Sequence, residues 1–318
     1  MINVGVIGVG YLGQHHARIY SGLDGVRLAA VVDSDLKRAE EISAKYGGTA
    51  FSDHRDAMGL VDAFSIAAPT TLHHRLAVDC LRAGKHILIE KPIAATIEEA
   101  DDIISKAGES GVVVQVGHLE RFNPAVQSLF SLITQPVFFE AERLSPFLGR
   151  GIDVDITLDL MIHDIDIILA ILAHGGTAPD VKDIKASAAK VLTANIDEAN
   201  AWFEFENGAQ ARLTASRLSF EKSRKLKIFQ GDSFLLVDYQ SMEIKRFSND
   251  NGRIMSETIP VAKHEPLKEE LRDFIGCITG GRRPLVSAAD GRNALKIAMM
   301  IGQMIPEVKT RKGQVPRP

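Results

Sequence analysis

Three groups of residues in this 318-residue chain have types and spacings suited to chemistry. The first is Glu90-Lys91-Pro92, at the end of the apolar run His86-Ile87-Leu88-Ile89. A lysine where a strand leaves its sheet contributes little to packing, and its amine can exchange a proton with a substrate hydroxyl. The plain alternative is a surface lysine paired with Glu90.

The second group is Asp159, His163 and Asp166, spaced four and three apart in an otherwise apolar stretch read as a helix from Asp159 to Leu172. That spacing puts the three polar side chains on one helical face. Buried without partners, each costs about 1–3 kcal/mol. Three readings fit. In the catalytic one His163 is the base for a carbinol proton and Asp159 holds a sugar hydroxyl or orients the set. In the metal one His163-Asp164 and Asp159 belong to a His-Asp hydrolase site, but one imidazole with carboxylates is an incomplete donor set. In the third the polar groups cap a sheet. The catalytic reading, without a metal, is the one carried forward.

The third group is Gly8, Gly10 and Gly13, in G-x-G-x-x-G spacing after the short strand Val4-Gly5-Val6-Ile7 and before a helical run from Gln14 to Tyr20. Gly8 lets the chain turn, Gly10 clears the approach of a pyrophosphate, and Gly13 lets helix and strand pack closely. The helix start adds unpaired N–H groups and a partial positive charge. A second strand, Val26 to Val32, ends at Asp33, 20 residues after Gly13, where a carboxylate accepts hydrogen bonds from a ribose diol. A carboxylate there repels a 2′-phosphate, so the expected cofactor is NAD rather than NADP.

The elements that must position these groups follow in order. Helices are expected at Ser34 to Gly47, Leu72 to Ala83 and Thr96 to Ser110, and strands at Ala63 to Ala68, His86 to Glu90 and Val112 to Val116. Strands alternating with helices at this pitch form a parallel, doubly wound sheet whose ligands sit at the carboxyl ends of the strands. Asp33, Pro69-Thr70, Glu90-Lys91-Pro92 and Gly117-His118 all fall at those ends. From about Glu120 the pattern changes to short strands with turn signals at Asn207-Gly208 and Gly231-Asp232, closed by helices Pro266 to Cys277 and Ala288 to Met304. This predicts a Rossmann domain over 1–120 and an α+β domain with an open, mainly antiparallel sheet over 121–318. At the crossover, Arg121 can pair with phosphate or carboxylate and Asn123 with a sugar hydroxyl or amide, unless the stretch is only a hinge stiffened by Pro124. The pairs His15-His16 and His73-His74 point in different directions on a helix and are read as cofactor-side or helix-surface residues.

Bulk properties exclude several partners. With 45% hydrophobic and 25% charged residues and a net charge of -4, the chain offers no basic surplus for nucleic acid or a membrane surface. It opens directly on a strand, without a charged, apolar leader, and no apolar run approaches the roughly 20 residues of a spanning helix. A cytoplasmic location is expected. The two cysteines, Cys80 and Cys277, read as separate buried thiols. The last dozen residues look like a loose tail.

With these pieces in order, the whole chain resembles the glucose-fructose oxidoreductase / inositol dehydrogenase (Gfo/Idh/MocA) family of two-domain oxidoreductases. The motifs that carry the resemblance are Gly8-Val9-Gly10-Tyr11-Leu12-Gly13, Ala68-Pro69-Thr70 with His73-His74, Ala83-Gly84-Lys85-His86 leading into Glu90-Lys91-Pro92, and Asp159-x-x-x-His163 with Asp164-x-Asp166. It implies NAD contacts from Gly8, Gly10, Tyr11, Leu12, Gly13, Asp33, Ala68, Pro69, Thr70, His73, Glu90 and Lys91, and a catalytic set of Lys91, Asp159 and His163. It further implies a cis bond before Pro92 and a homodimer or homotetramer through the open face of the second sheet. The family's glycines five and four residues before the aspartate are replaced by Val154 and Asp155. The stretch Gly117 to Ala125 together with Asp159 to Asp166 is similar to the branch that oxidises UDP-N-acetylglucosamine compounds at sugar C3 on the route to the 3-amino sugar of lipid A. This branch implies a UDP-sugar substrate, held by Lys91, His118, Arg121, Asn123, Asp159 and His163.

Overall fold

Short apolar runs separated by capped helices build a six-stranded sheet in which every pairing is parallel. Its strands are β1 (Ile2–Ile7), β2 (Val26–Val32), β3 (Thr49–Phe51), β4 (Ala63–Ile66), β5 (His86–Glu90) and β6 (Val114–Gly117), in the order β3-β2-β1-β4-β5-β6. The computed structural model describes residues 1–147, 154–174, 176, 178–231 and 233–305. Helices α1 (Gly13–Tyr20), α2 (Leu36–Tyr46), α3 (His54–Ala57), α4 (Thr70–Arg82) and α5 (Ile97–Ser110) connect the strands. Local chemistry sets their ends: the Asp35 and Thr96 side chains accept from the Arg38 and Glu99 N–H groups, and Gly111 closes α5 at φ 65°. Strand order reverses between β1 and β4, which opens a crevice at the carboxyl ends.

The second sheet follows α6 (Pro124–Leu129). It comprises β7 (Pro136–Leu144), β8 (Val181–Ala189), β9 (Glu198–Phe205), β10 (Gln210–Ser216), β11 (Ser223–Gln230), β12 (Ser233–Asp238), β13 (Glu243–Asp250) and β14 (Arg253–Ile259). The order is β14-β13-β12-β11-β7-β10-β9-β8, antiparallel except where β7 and β10 run parallel. One face is covered by α7 (Ile162–Leu172) and, later in the chain, by α9 (Ala288–Met304), which bury a continuous apolar core. The opposite face carries an aromatic ladder, Trp202-Phe138-Phe229-Phe234-Phe247, with neighbouring ring centroids 4.4 to 5.6 Å apart.

One expectation needs correction, and two features of the fold were not foreseen. The stretch read as one helix from Asp159 begins instead with a π-helical turn, Thr157–Met161, before α7. Strand β7 lies at the centre of its sheet with Phe139, Ala141 and Arg143 facing inward and Glu140 and Glu142 outward, so a buried charge stands where the alternation calls for an apolar residue. The division at residue 120 marks where the chain crosses over, but packing does not separate there. Helix α8 (Pro266–Gly280) places Leu267, Leu271 and Phe274 in a core with Val4, Val6 and Leu88 of the first sheet. Val286 and Leu295 join another core beside Val116, and Val116 N donates to Val286 O at 3.1 Å. The second lobe thus grips the first with its closing helices.

Cys80 and Cys277 are both free and buried. Among the described residues no helix is long and apolar enough to cross a membrane. Asp232 of one expected turn, Asp153 beside Val154, and the expected tail from Pro306 lie outside the described residues.

Candidate active site

The glycines of the first turn are each required for a different reason. Gly8 has φ +82°, and a Cβ there would stand 2.7 Å from Ala67 O. A Cβ at Gly13 would stand 1.8 Å from Gly8 O, so helix α1 can pack on β1 only without a side chain. A Cβ at Gly10 would meet no described atom within 4 Å. What Gly10 leaves open is therefore space on the ligand side, where backbone must be approached closely. The start of α1 has no side-chain cap among the described residues; Gln14 N and His15 N donate to Gly10 O and Leu12 O, and the positive end of the helix faces the turn.

At the end of β2, Asp33 is held in place by main-chain donors: Val9 N donates to Oδ2 and Asp35 N to Oδ1, each at 3.0 Å. Arg38 Nη1 stands 3.4 Å from Oδ1. Gly8, Gly10, Asp33, Arg38, Ala68 and Pro69 line a cavity of about 510 Å3. The open Gly10 position, the uncapped helix start and the oriented carboxylate fit a dinucleotide with a free ribose diol. Thr70 begins α4 directly after Pro69. His73 is buried, with its ring nitrogens 2.8 Å from the carbonyls of Ala68 and Pro92. It thus braces the Lys91-Pro92 turn from behind, and the peptide before Pro92 is cis.

A second cavity, of about 580 Å3, shares Ala67, Ala68 and Pro69 with the first and continues past Tyr11 and Leu12. Glu90, Lys91, Asp159 and His163 line it. Lys91 does not pair with Glu90. Its Nζ donates to Asp159 O at 2.6 Å and lies 3.3 Å from Asp159 Oδ1, reaching from β5 to the π-helical turn of the other lobe. Glu90 is occupied elsewhere: its carboxylate sits 3.3 Å from His16 Nε2 and against Gly117, where a Cβ would come within 2.8 Å. Burial, then the charges of Lys91 and Arg143, hold the His163 imidazole well below its ordinary range, so the ring is neutral.

Behind His163 lies a buried ionic network that sequence reasoning did not find. The inward alternation of β7 brings Arg143 against α7, where its Nε and Nη2 donate to the two Asp164 oxygens at 2.8 and 2.9 Å. Its Nη1 donates to Glu120 at 2.9 Å, and Tyr239 lies under the guanidinium at 5.1 Å. Burial opposes the charge on Arg143, but Asp164 and Glu120 keep it protonated. Asp164 is thereby engaged, which removes it from the metal reading. No group of three His, Cys, Asp or Glu among the described residues is placed to hold a metal ion.

The face expected to carry Asp159, His163 and Asp166 splits. The first two line the cavity, whereas Asp166 is buried and accepts from Arg121 Nη1 at 3.2 Å. Arg121 Nη2 donates to Leu285 O at 3.1 Å, tying the crossover to the closing helices. Asn123 caps α6 by accepting from Ala125 N at 3.0 Å, and its amide donates to Glu120 and Tyr239 O. Arg121 and Asn123 therefore stand behind the cavity instead of lining it. His118 is buried edge-on to His163, with centroids 6.2 Å apart. Asp155 anchors the π-helical turn by accepting from Ile196 N at 2.8 Å. The cavity wall that no motif announced is basic: Arg217, Lys222 and Arg224, with Ser145 beside them.

A doubly wound sheet with a dinucleotide turn, whose cleft runs on to an amine and a neutral imidazole from different lobes, defines a two-domain nicotinamide-dependent oxidoreductase. Residues 2–118 match the family model described as an oxidoreductase family with an NAD-binding Rossmann fold. The chain is 35% identical over 307 residues to UDP-N-acetylglucosamine 3-dehydrogenase from Acidithiobacillus ferrooxidans, covering 94% of this chain and 96% of that protein. The solved structure of that protein gives a TM-score of 0.89 over 96% of this chain and 97% of that one. Identity to scyllo-inositol 2-dehydrogenase (NAD(+)) from Bacillus subtilis is 25% over 324 residues, 94% of this chain and 92% of that protein. The chain belongs to the Gfo/Idh/MocA family and is an NAD-dependent oxidoreductase.

Proposed function

We propose that this enzyme oxidises the C3 hydroxyl of UDP-N-acetylglucosamine, or of a closely related UDP-sugar, to the 3-keto sugar. The observation that carries this reading is the convergence of Lys91, Asp159 and His163 in a cavity continuous with the dinucleotide cleft. Likeness to a UDP-N-acetylglucosamine 3-dehydrogenase over nearly the whole chain supports the choice of sugar. NAD, when bound, supplies the acceptor for the hydride leaving the sugar carbon. Gly8, Gly10, Asp33 and Pro69, which line the first cavity, would hold it.

The residues of this chain handle the proton. His163, neutral because it is buried beside Lys91, takes the proton of the substrate hydroxyl, and the Lys91 ammonium donates a hydrogen bond to the oxygen as its bond order rises. Asp159 aims the ammonium through both its carbonyl and its carboxylate. Arg121, Asn123 and His118 act one layer back, by fixing the wall on which His163 stands.

The open aromatic face of the second sheet, with Trp202 40% exposed, supports assembly into a homodimer or homotetramer. Free thiols and a nucleotide-sugar substrate suit the cytoplasm. Steady-state NAD reduction with UDP-N-acetylglucosamine, myo-inositol and free hexoses tests the reading. Turnover with the nucleotide sugar supports it; turnover confined to the polyols overturns it, and no turnover with any of them, despite NAD binding, points to a regulator.

A further inference from the structure

We propose that Arg217 and Arg224 form a diphosphate-binding wall in the sugar cavity, taking the anionic linkage of a nucleoside diphosphate sugar while the sugar faces Lys91 and His163. This rests on the nucleotide-sugar reading above and assigns the part of the cavity that the proton chemistry leaves unused.

Three observations lead there. The first is position: Arg217 directly follows β10 and Arg224 lies in β11, and both line the cavity that holds Lys91 and His163. The second is unmet bonding. Arg217 is only 4% exposed; its Nη2 donates to Val154 O at 3.2 Å, while the buried Nη1 has no partner among the described residues. The Nε of Arg224 is likewise buried and unpartnered there, while its Nη1 stands 3.5 Å from Glu120 Oε1, an oxygen that Arg143 holds more closely at 2.9 Å. A buried guanidinium with spare donors is satisfied by an anion, and its planar fork matches phosphate oxygens.

The third observation is charge. Lys91 is matched by Asp159, Glu90 lies against His16, and Glu120, 3.5 Å from Arg224 Nη1, is shared with Arg143, so the acids around the cavity offset Arg224 only in part. A neutral polyol would leave the Arg217 Nη1 and Arg224 Nε donors without a charged acceptor, whereas a diphosphate supplies one to each. The arginines thus explain why a cavity built for hydroxyl oxidation has a strongly cationic far wall.

Competition kinetics with UDP, UMP and uridine tests the proposal in wild type and in Arg217→Met, Arg217→Lys and Arg224→Met, with thermal melting as the folding control. For a charged hydrogen bond to phosphate, removing the guanidinium weakens UDP inhibition and raises KM for the UDP-sugar by about 10- to 100-fold, with a smaller change in kcat. NAD KM and inhibition by uridine stay near wild type, and Arg217→Lys falls between. Equal inhibition of wild type by UDP and uridine, or variants that retain wild-type UDP inhibition, overturns the wall. Should wild type not turn over the UDP-sugar, the substrate reading fails separately, and calorimetry with UDP on the NAD-loaded protein decides the wall: arginine-dependent binding upholds it, and absence of binding ends it.

Discussion

The ammonium of Lys91, carried by the first lobe, donates to the main-chain carbonyl of Asp159 in the second at 2.6 Å and stands 3.3 Å from its carboxylate. A single side chain therefore joins the cofactor sheet to the helix that bears His163. Replacing Lys91 by Met keeps the stem and removes the donor. The expected result is a fall in kcat of about 10^2- to 10^3-fold, the range for losing one preorganised donor to a developing charge, with a much smaller change in NAD affinity. Stopped-flow turnover beside NAD titration of the same variant checks it.

The glycine turn separates fold from ligand binding. Gly13→Ala drives a methyl into Gly8 O and should prevent soluble expression or lower the melting temperature sharply. Gly10→Ala meets no described atom within 4 Å, so the fold and its melting temperature survive while NAD affinity drops at least about tenfold. A Gly10→Ala protein that binds NAD like wild type would show that the dinucleotide runs elsewhere.

Acid should destabilise this protein partly through its buried imidazoles. Burial holds His163 and His118 below their ordinary range in the folded chain. As pH falls through the unfolded value of about 6.5, the unfolded chain takes up protons that the folded chain refuses. Stability is therefore full above that value and declines below it, toward the lower folded values. Urea midpoints measured from about pH 7 to about pH 5 should fall less steeply in His118→Gln or His163→Gln than in wild type. Parallel slopes would contradict the assignment.

The pair Arg143 and Asp164 carries stability more than chemistry. Asp164→Asn leaves a fully buried guanidinium without its bidentate partner and should cost about 3–5 kcal/mol by denaturant unfolding. The double change Arg143→Met with Asp164→Leu removes both charges but takes the 2.9 Å donor from buried Glu120, so it should recover only part of that loss.

The first sheet was legible because buried parallel strands read as continuous apolar runs, and Gly8, Gly13 and Asp33 have one steric or electrostatic task each. Lys91, Asp159 and His163 were legible for the opposite reason: they are polar where packing calls for apolar residues. The second sheet was harder. Strand β7 hides behind Arg143, since a sheet tolerates charge at an inward position when a facing helix supplies the counter-charge, and that pairing is set by tertiary structure alone. The three-residue β3 is too short to show a period. Arg121 and Asn123 look like ligand groups in sequence because their partners, Asp166, Leu285 and Tyr239, are 45, 164 and 116 residues away. The cationic wall gave one signal that could have been used: Arg217 follows immediately on the alternating strand β10, at a strand end that faces the site.

The most direct measurement is deuterium transfer. With UDP-N-acetylglucosamine deuterated at C3, mass spectrometry of the reduced cofactor should find the label in NADH, and kcat/KM should show a primary isotope effect. Unlabelled NADH formed from that substrate, or no NADH at all while myo-inositol is oxidised, would contradict the assignment of C3 of a nucleotide sugar as the hydride donor.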